Sequence, residues 1–214
     1  MKDSRRQTVL GAIRHHLREA REAEPLPPDR DALPEAPVLP PPTDLVGRFT
    51  ERLERVKGVV HRATANDVAD VVRKILEGVA ARRVAWTDAP DVQPARGALA
   101  AEFIAVDVGD RDALLEADAG VTSAQWAVAE TGSLILDASA ERHRLASLLP
   151  GIHVAIVPVS RMLATMGEAL AKAHAAGPSP CMTIVTGPSR TADIELTLVV
   201  GVHGPRELHV VLVG

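Results

Sequence analysis

The sequence is poor in cysteine and in aromatic residues, and each shortage excludes a class of function. Cys181 is the only cysteine among 214 residues, so no disulfide can form within the chain, and one thiolate cannot hold a four-thiolate iron–sulfur cluster. Aromatic side chains make up 2% of the residues, namely Phe49, Trp86, Phe103 and Trp126. The base-stacking surfaces of proteins that bind single-stranded nucleic acid need more aromatic residues than these.

Strong positive charge and long apolar runs are also missing. The net charge is −4 and the chain has no sustained basic block, which argues against nucleic acid or a membrane surface as the main partner. No apolar run approaches the roughly 20 residues that cross a bilayer, and Met1–Arg6 leads into no apolar stretch of a secretory signal. We therefore expect a soluble cytoplasmic protein without a membrane span.

The common catalytic motifs are absent as well. The sequence contains no phosphate-binding P-loop, no Gly-x-Gly-x-x-Gly run and no Gly-x-Ser-x-Gly elbow. Its eight histidines are scattered, and the adjacent pair His15 and His16 would not face one ligand on a helix. The motifs give no support to classical nucleotide binding, to a serine hydrolase or to a metal site.

The first 44 residues differ in composition from the rest and form an N-terminal arm. Ser4–Ala23 has the spacing of an amphipathic helix, with Val9, Ile13 and Leu17 on one stripe. Half of the 16 prolines follow between residues 25 and 42, a density that favours an extended connector. The helix either docks on its own domain or grips another subunit, and the sequence does not decide between these roles.

Residues 45–214 alternate between strand and helix patterns, and aliphatic residues must fill the core. The predicted strands are Val59–His61, Arg83–Trp86, Phe103–Asp107, Ile152–Val157, Cys181–Thr186 and Leu208–Val213. The predicted helices are Leu45–Val56, Val68–Ala80, Asp112–Ala117, Glu141–Leu149 and Arg161–Ala175, with Asn66-Asp67 capping the second and Ser160 capping the last. A loop is expected after Trp86 through Gly97, and the apolar spacing of Thr191–Gly201 fits either a helix or a strand. This order predicts a three-layer α/β domain with a largely parallel sheet.

A hairpin interrupts this alternation and carries the first candidate site residues. Two apolar runs, Trp126–Ala129 and Leu134–Leu136, flank the turn Glu130-Thr131-Gly132. A carboxylate at Glu130 and a hydroxyl at Thr131, held at the mouth of an apolar sheet, suit catalysis and ligand binding. The alternative is that the hydroxyls satisfy the turn backbone and that Glu130 faces water.

A second cluster of candidate residues follows the predicted strand Cys181–Thr186. After a strand, Gly187-Pro188-Ser189 can aim backbone N–H groups and a hydroxyl at a carboxylate or phosphate, with Arg190 as the counter-charge. Alternatively, Ser189 caps a following helix and Arg190 pairs with an acidic neighbour. His203, in a later turn, is either an acid–base group or an exposed loop residue. His153 and His209, in apolar strands, are expected to be satisfied core histidines.

Three blocks of the sequence together resemble the LUD-domain family, in particular its lactate utilization protein C (LutC/YkgG) branch. The blocks are Val121–Ser133, Arg144–Pro158 and Gly187–Pro205, within a resemblance that covers about Val46–Gly214. The resemblance implies a LUD α/β domain at residues 45–214 with a fold similar to the NagB/RpiA/CoA-transferase-like fold. This implication agrees with the largely parallel sheet expected from the strand and helix patterns.

The resemblance also implies a non-cluster subunit of a system that oxidises L-lactate to pyruvate with iron–sulfur partner proteins. The clusters would belong to those partner subunits, and this chain would carry no cofactor or metal of its own. A retained pocket would be lined by Glu130, Thr131, Ser189, Arg190 and His203. The alternatives are a stand-alone sugar-phosphate or acyl-CoA enzyme with Glu130 as base or nucleophile, and a non-catalytic assembly or regulatory module; whether the chain forms a homo-oligomer is left open.

The turn around Glu130 has a second resemblance. Family I CoA-transferases place a nucleophilic glutamate in a Ser-Glu-Asn-Gly turn, and Ala129-Glu130-Thr131-Gly132 looks similar in shape. The departures at Ala129 and Thr131 argue against assigning acyl-transfer chemistry to this chain.

Overall fold

The structure, a computed structural model, describes residues 2–23, 43–140, 143–192, 198–200 and 204–214. The chain divides into two compact units, the first covering residues 1–40 and the second residues 41–214. Within the first unit, Lys2–Ala23 forms helix α1, as the spacing of Ser4–Ala23 predicts. The described helices include none that is long and apolar enough to cross a membrane.

The second unit alternates between short strands and helices. The described strands are β1 (Val59–Ala63), β2 (Arg83–Trp86), β3 (Ile104–Val106), β4 (Ala119–Ser123), β5 (Trp126–Val128), β6 (Ser133–Asp137), β7 (Ile152–Pro158), β8 (Met162–Leu163), β9 (Met182–Val185), β10 (Arg190–Ala192), β11 (Leu198–Val200) and β12 (Glu207–Val213). The described helices are α2 (Leu45–Arg55), α3 (Val68–Gly78), α4 (Gln93–Leu99), α5 (Arg111–Leu115) and α6 (Met166–Ala175).

The main sheet has six strands in the order β1-β12-β7-β4-β2-β3, and all its pairings are parallel. One face packs against α3 and α4 through side chains such as Val154 and Ile156. The opposite face packs against α2 and a second sheet through Ala155, Val157 and Leu208. Both faces are therefore covered, which explains why β7 and β12 are almost continuously apolar. This arrangement confirms the predicted α/β class with a largely parallel sheet.

The second sheet has four strands in the order β8-β5-β6-β9. Strands β5 and β6 pair antiparallel, with Trp126 opposite Ile135 and Val128 opposite Ser133, so the predicted hairpin is confirmed. Gly132 in its turn has φ +69°, a left-handed conformation that glycine adopts at little cost. A Cβ at this position would lie 2.6 Å from the backbone nitrogen of Leu53. The turn therefore rests directly on the backbone of α2.

Two predicted elements have different limits in the structure. The expected loop through Gly97 contains helix α4, which buries Ala95 and Leu99 and has a proline in its first turn, where a missing N–H is tolerated. The expected helix Glu141–Leu149 is reduced to a 3₁₀ turn at Arg144–Ser147, and residues 141–142 lie outside the described part. The proline-rich composition concealed α4, since proline ends a helix in its interior but not at its start.

Of the two predicted caps, one holds by position only and the other was wrong, since Asp67 is the N-cap residue of α3 whereas Ser160 does not cap α6. Asp67 does not cap α3 with its side chain, because its carboxylate accepts from the Thr64 hydroxyl at 2.8 Å. Helix α6 begins at Met166 rather than Arg161, and Thr165 caps it in place of Ser160 by accepting from the Glu168 N–H at 3.2 Å. The intervening Met162 and Leu163 form β8 and pair with β5.

The segment Thr191–Gly201, which fitted either period, is extended in its described part. Arg190–Ala192 pairs antiparallel with Leu198–Val200 as strands β10 and β11. Residues 193–197 and 201–203 lie outside the described part.

Substituting the turn glycine should destabilise the protein. Gly132→Ala places a Cβ against the α2 backbone and imposes an unfavourable φ, so we expect the free energy of unfolding to fall by about 2–4 kcal/mol. Gly97→Ala is the matched control, because Gly97 is helical with nothing within 4 Å of the added Cβ, and it should gain about 0.5–1 kcal/mol. Urea unfolding measures both, and equal stabilities for the two variants would contradict the contact between turn and helix.

Candidate functional site

The structure places Glu130 at the amino end of helix α6. Its carboxylate accepts a hydrogen bond from the Met166 N–H at 3.0 Å, and its own N–H donates to the Ala164 carbonyl at 3.0 Å. A carboxylate is favoured at this end of a helix because the unpaired N–H groups and the helix dipole attract negative charge. The side chain is exposed. Glu130 thus ties the hairpin turn to α6, and its catalytic role stays a prediction.

Thr131 begins a chain of hydroxyl groups that runs from the hairpin turn to the end of β9. The Thr131 hydroxyl donates to the Ser133 oxygen at 2.8 Å, and the Ser133 and Thr186 hydroxyls lie 2.9 Å apart. Ser133 is buried and Thr131 is half-buried. The hydrogen bonds of these hydroxyls among the described residues therefore run to other hydroxyls rather than to the turn backbone, and they link Ser133 to a residue 53 positions further along the chain.

Ser189 and Arg190 point to different surroundings although they are adjacent. Ser189 donates its N–H to the Pro205 carbonyl at 2.8 Å and lines a cavity. The Arg190 guanidinium donates to the Val56 carbonyl at 2.6 Å, beside the carboxyl end of α2, where a cation is favoured. The acidic residues considered as partners of Arg190, and the candidate His203, lie outside the described residues.

The cavity beside Ser189 has a volume of about 200 Å³ and lies between the main sheet and β9. Its lining consists of Ser147, Leu148, His153, Thr183, Ile184, Val185, Thr186, Gly187, Ser189, Gly204, Pro205 and Leu208. His153 and Leu208 pair in register near the amino ends of β7 and β12. The lining includes Ser189 and Thr186, the latter linked through Ser133 to Thr131, but it includes neither Glu130 nor Arg190.

His153 is the group in this cavity that the sequence did not reveal as a candidate. It is 1% exposed, and its Nε2 lies 2.8 Å from the Thr122 hydroxyl on the neighbouring strand β4. Its Nδ1 has no hydrogen-bond partner among the described residues, and an unpaired buried polar atom costs about 1–3 kcal/mol. The prediction of a satisfied core histidine therefore holds for one ring nitrogen only. For His209 the same prediction is confirmed, since its Nδ1 lies 3.0 Å from His61 Nε2.

Burial also determines the charge of His153. It lowers the pKa of the imidazole from its ordinary value of 6.5 to about 4, because the charged form loses its hydration. At neutral pH only about one molecule in a thousand carries the extra proton. His153 is therefore a neutral group in the lining of the cavity.

The described lining contains no charged side chain. It offers the hydroxyls of Thr183, Thr186 and Ser189 together with the neutral imidazole, while the Ser147 hydroxyl donates to the Arg144 carbonyl at 2.7 Å. Such a set recognises oxygen atoms through directional hydrogen bonds rather than through net charge. Because ligand pockets for drug-sized molecules begin at about 300 Å³, this cavity suits a smaller molecule.

Comparisons with known proteins give a consistent result. The model of the LUD domain matches residues 46–213. The chain is 31% identical over 216 residues to a protein of Halalkalibacterium halodurans named lactate utilization protein C, covering 94% of each chain. A protein of the same name from Bacillus licheniformis is 46% identical over 96 residues, which cover 42% of this chain and 40% of the relative.

A solved structure is also similar to this chain. The crystal structure of a DUF162 family protein from Deinococcus radiodurans superposes with a TM-score of 0.59 at 26% sequence identity. The match covers 79% of this chain and 96% of that one.

The buried imidazole should make stability depend on pH in a defined window. The folded chain keeps His153 neutral down to about pH 4, whereas the unfolded chain takes up a proton below about pH 6.5. The unfolded state therefore binds more protons in this window, and stability is lost as the pH falls. Between pH 7.5 and 5 this contribution is about 2 kcal/mol.

His153→Gln removes this proton uptake, so the stability difference between wild type and variant should shrink by about 2 kcal/mol between pH 7.5 and 5. Urea unfolding at a series of pH values measures it. Parallel stability curves for the two proteins would show that His153 is not held neutral by burial.

Proposed function

Because this chain belongs to the LUD domain family, we propose that it is the non-cluster subunit of a system that oxidises L-lactate to pyruvate. The observation that carries the proposal is the 31% identity to lactate utilization protein C of Halalkalibacterium halodurans across 94% of both chains. A match of that length includes both the main sheet and the second sheet. In this proposal the chain binds the small acid, and partner subunits carry the iron–sulfur clusters and transfer electrons. A cytoplasmic location and the site roles of Thr131, Arg190 and His203 stay predictions.

The cavity beside Ser189 supports this proposal by its size and chemistry. L-Lactate and pyruvate have only six heavy atoms, of which three are oxygens, so a cavity of about 200 Å³ is ample. Hydroxyl groups and a neutral imidazole can donate to the oxygens of either acid. The His153 side chain lines this cavity, and in the proposal its imidazole is one of the groups that contact the bound acid.

The side chains of this subunit do not fit an iron–sulfur cluster, which supports placing the clusters in partners. Cys181 is the only cysteine, and its Sγ accepts from the Arg144 guanidinium at 2.9 Å. Within the described ranges, no group of three or more histidine, cysteine, aspartate or glutamate side chains is arranged to hold a metal ion. A cluster needs several thiolate or imidazole ligands together.

Complementation of a deletion strain tests the proposal and the cavity together. Loss of the gene should abolish growth on L-lactate and spare growth on pyruvate, and the wild-type gene should restore it. His153→Gln and Ser189→Ala should each lower lactate-dependent dye reduction in extracts about tenfold, as expected for one lost hydrogen bond of about 1.4 kcal/mol. Ser160→Ala, an exposed serine outside the cavity, is the matched control. Normal growth of the deletion strain on L-lactate would refute the proposal.

The alternative of a stand-alone enzyme with Glu130 as base or nucleophile makes a different prediction. Since the Glu130 carboxylate binds the end of α6 and does not line the cavity, we expect Glu130→Gln to retain at least half of the wild-type lactate-dependent dye reduction. Glutamine keeps an oxygen that can accept from the Met166 N–H, so the fold should persist. A fall of a thousandfold or more with a folded variant would favour the alternative, because loss of a nucleophile or base has effects of that size.

A further inference from the structure

A second cavity lies at the other end of the main sheet. Its volume is about 380 Å³, and it is lined by Ala89, Pro90, Asp91, Ser123, Gln125, Trp126, Ala140 and Arg161. Apart from Ala140, which follows β6, these residues lie at or just after the carboxyl ends of β2, β4 and β7, whereas the cavity beside Ser189 adjoins the amino ends of β7 and β12. We call this second cavity the carboxyl-end crevice.

The position of the crevice is where open parallel sheets bind ligands. Strands β7, β4 and β2 are neighbours in the sheet, so the loops that leave their carboxyl ends lie side by side. Ligands of such sheets occupy the crevice outside these ends. Arg161, which follows the carboxyl end of β7, contributes its side chain to this crevice. The proposed lactate function makes no use of it.

Arg161 holds a carboxylate already, and that carboxylate belongs to the chain itself. One guanidinium nitrogen donates to Asp91 at 2.6 Å and the other donates to the second oxygen of the same carboxylate at 3.4 Å. The first nitrogen also lies 3.4 Å from the Ala124 carbonyl. The Arg161 side chain is 39% exposed and that of Asp91 is 19% exposed. The guanidinium is therefore accessible from the crevice. Its bidentate contact with Asp91 is asymmetric, because one of the two hydrogen bonds is long.

Gln125 adds a second donor on the same crevice. Its side-chain oxygen accepts from the Asp137 N–H and its backbone N–H donates to the Ile135 carbonyl. The first of these bonds orients the side-chain amide, whose Nε2 has no hydrogen-bond partner among the described residues. Next to it, the half-buried Trp126 gives the crevice an apolar wall. The crevice thus combines a cation, an amide donor and an aromatic surface.

We propose that the carboxyl-end crevice is a second ligand site, which takes a small organic carboxylate. The ligand's carboxylate displaces that of Asp91 on Arg161 and accepts a further hydrogen bond from Gln125 Nε2, while its carbon chain lies against Trp126. Planar, bidentate recognition is the geometry for which arginine is suited. Asp91 acts in this scheme as an internal competitor that occupies the arginine when no ligand is bound. The proposal does not depend on the role in lactate oxidation.

Because Asp91 competes with the ligand for Arg161, substituting Asp91 should change the ligand affinity in a direction that a purely structural ion pair would not produce. Removing the charge of Asp91 frees the guanidinium, so Asp91→Asn should strengthen carboxylate binding. A pair that only fastens two loops would instead give weaker or unchanged binding after the same substitution. Arg161→Gln removes the cation and should weaken binding. Arg83→Gln is the matched control, because Arg83 forms an exposed ion pair with Glu116 at 2.8 Å and lies outside the crevice.

The experiment is a titration of the full chain with pyruvate, followed by the NMR signal of the Trp126 indole N–H. The chain has two tryptophans, so Trp126→Phe assigns the signal, and Trp126 reports on the crevice rather than on the cavity beside Ser189. We expect a saturable shift whose Kd rises at least tenfold in Arg161→Gln, falls about tenfold in Asp91→Asn and changes less than twofold in Arg83→Gln. The thermal midpoint of each variant shows whether it is folded. If Arg161→Gln does not fold, the affinity of Asp91→Asn alone tests the proposal.

Several outcomes would overturn the proposal. These are no saturable shift in the wild type, binding in Asp91→Asn that is no tighter than in the wild type, or tighter binding of inorganic phosphate than of pyruvate. The last result would replace the carboxylate with a phosphate as the ligand group. Because the measurement uses purified protein, it separates this proposal from the complementation test. Normal growth of the deletion strain would refute the lactate function but would not affect pyruvate binding in the crevice. Loss of growth together with no pyruvate binding would support the lactate function and refute the ligand site in the crevice.

Discussion

The constraint on which this structure depends is the burial of β7 and β12 on both faces. Helices α3 and α4 cover one face, and α2 with the second sheet covers the other. A strand in that position must be apolar, and a polar side chain within it needs a partner or a cavity. His153 meets this requirement in part, through Thr122 on β4. Its other ring nitrogen has no hydrogen-bond partner among the described residues, and the side chain lines a cavity, which is why a histidine in a core strand is of functional interest here.

The two ends of the main sheet differ in their electrostatics. At the amino ends of β7 and β12, the described lining is neutral, and the imidazole remains uncharged because burial lowers its pKa to about 4. At the carboxyl ends of β2, β4 and β7, an arginine and an aspartate form an ion pair in the lining of an open crevice. The neutral cavity suits oxygen atoms that need directional hydrogen bonds, and the charged crevice suits an ionised group. One sheet thus offers two chemically distinct environments.

The sequence was sufficient for features that depend on neighbouring residues. Alternation of apolar runs with helical spacing predicted the parallel sheet, and the turn at Glu130–Gly132 predicted the hairpin. It was insufficient where contacts are distant in the chain. Met162 and Leu163 looked like the start of a helix, yet they pair with β5 across more than 30 residues. The same limit applies to the candidate site, because Arg190 is held by Val56 and His153 is held by Thr122.

Helix α2 has a consequence for where this domain can be cut. A Cβ at Gly132 would collide with the α2 backbone at Leu53, and a Cβ at Gly187 would lie 3.0 Å from the Val56 side chain. The hairpin turn and the loop that leads to Ser189 thus both pack against a helix that precedes the first strand of the sheet. An expression fragment that began at β1 would retain all six main strands and still lose the helix against which both segments pack. We therefore expect a stable fragment of this domain to need α2, and so to begin before Leu45, ahead of the sheet that defines its architecture.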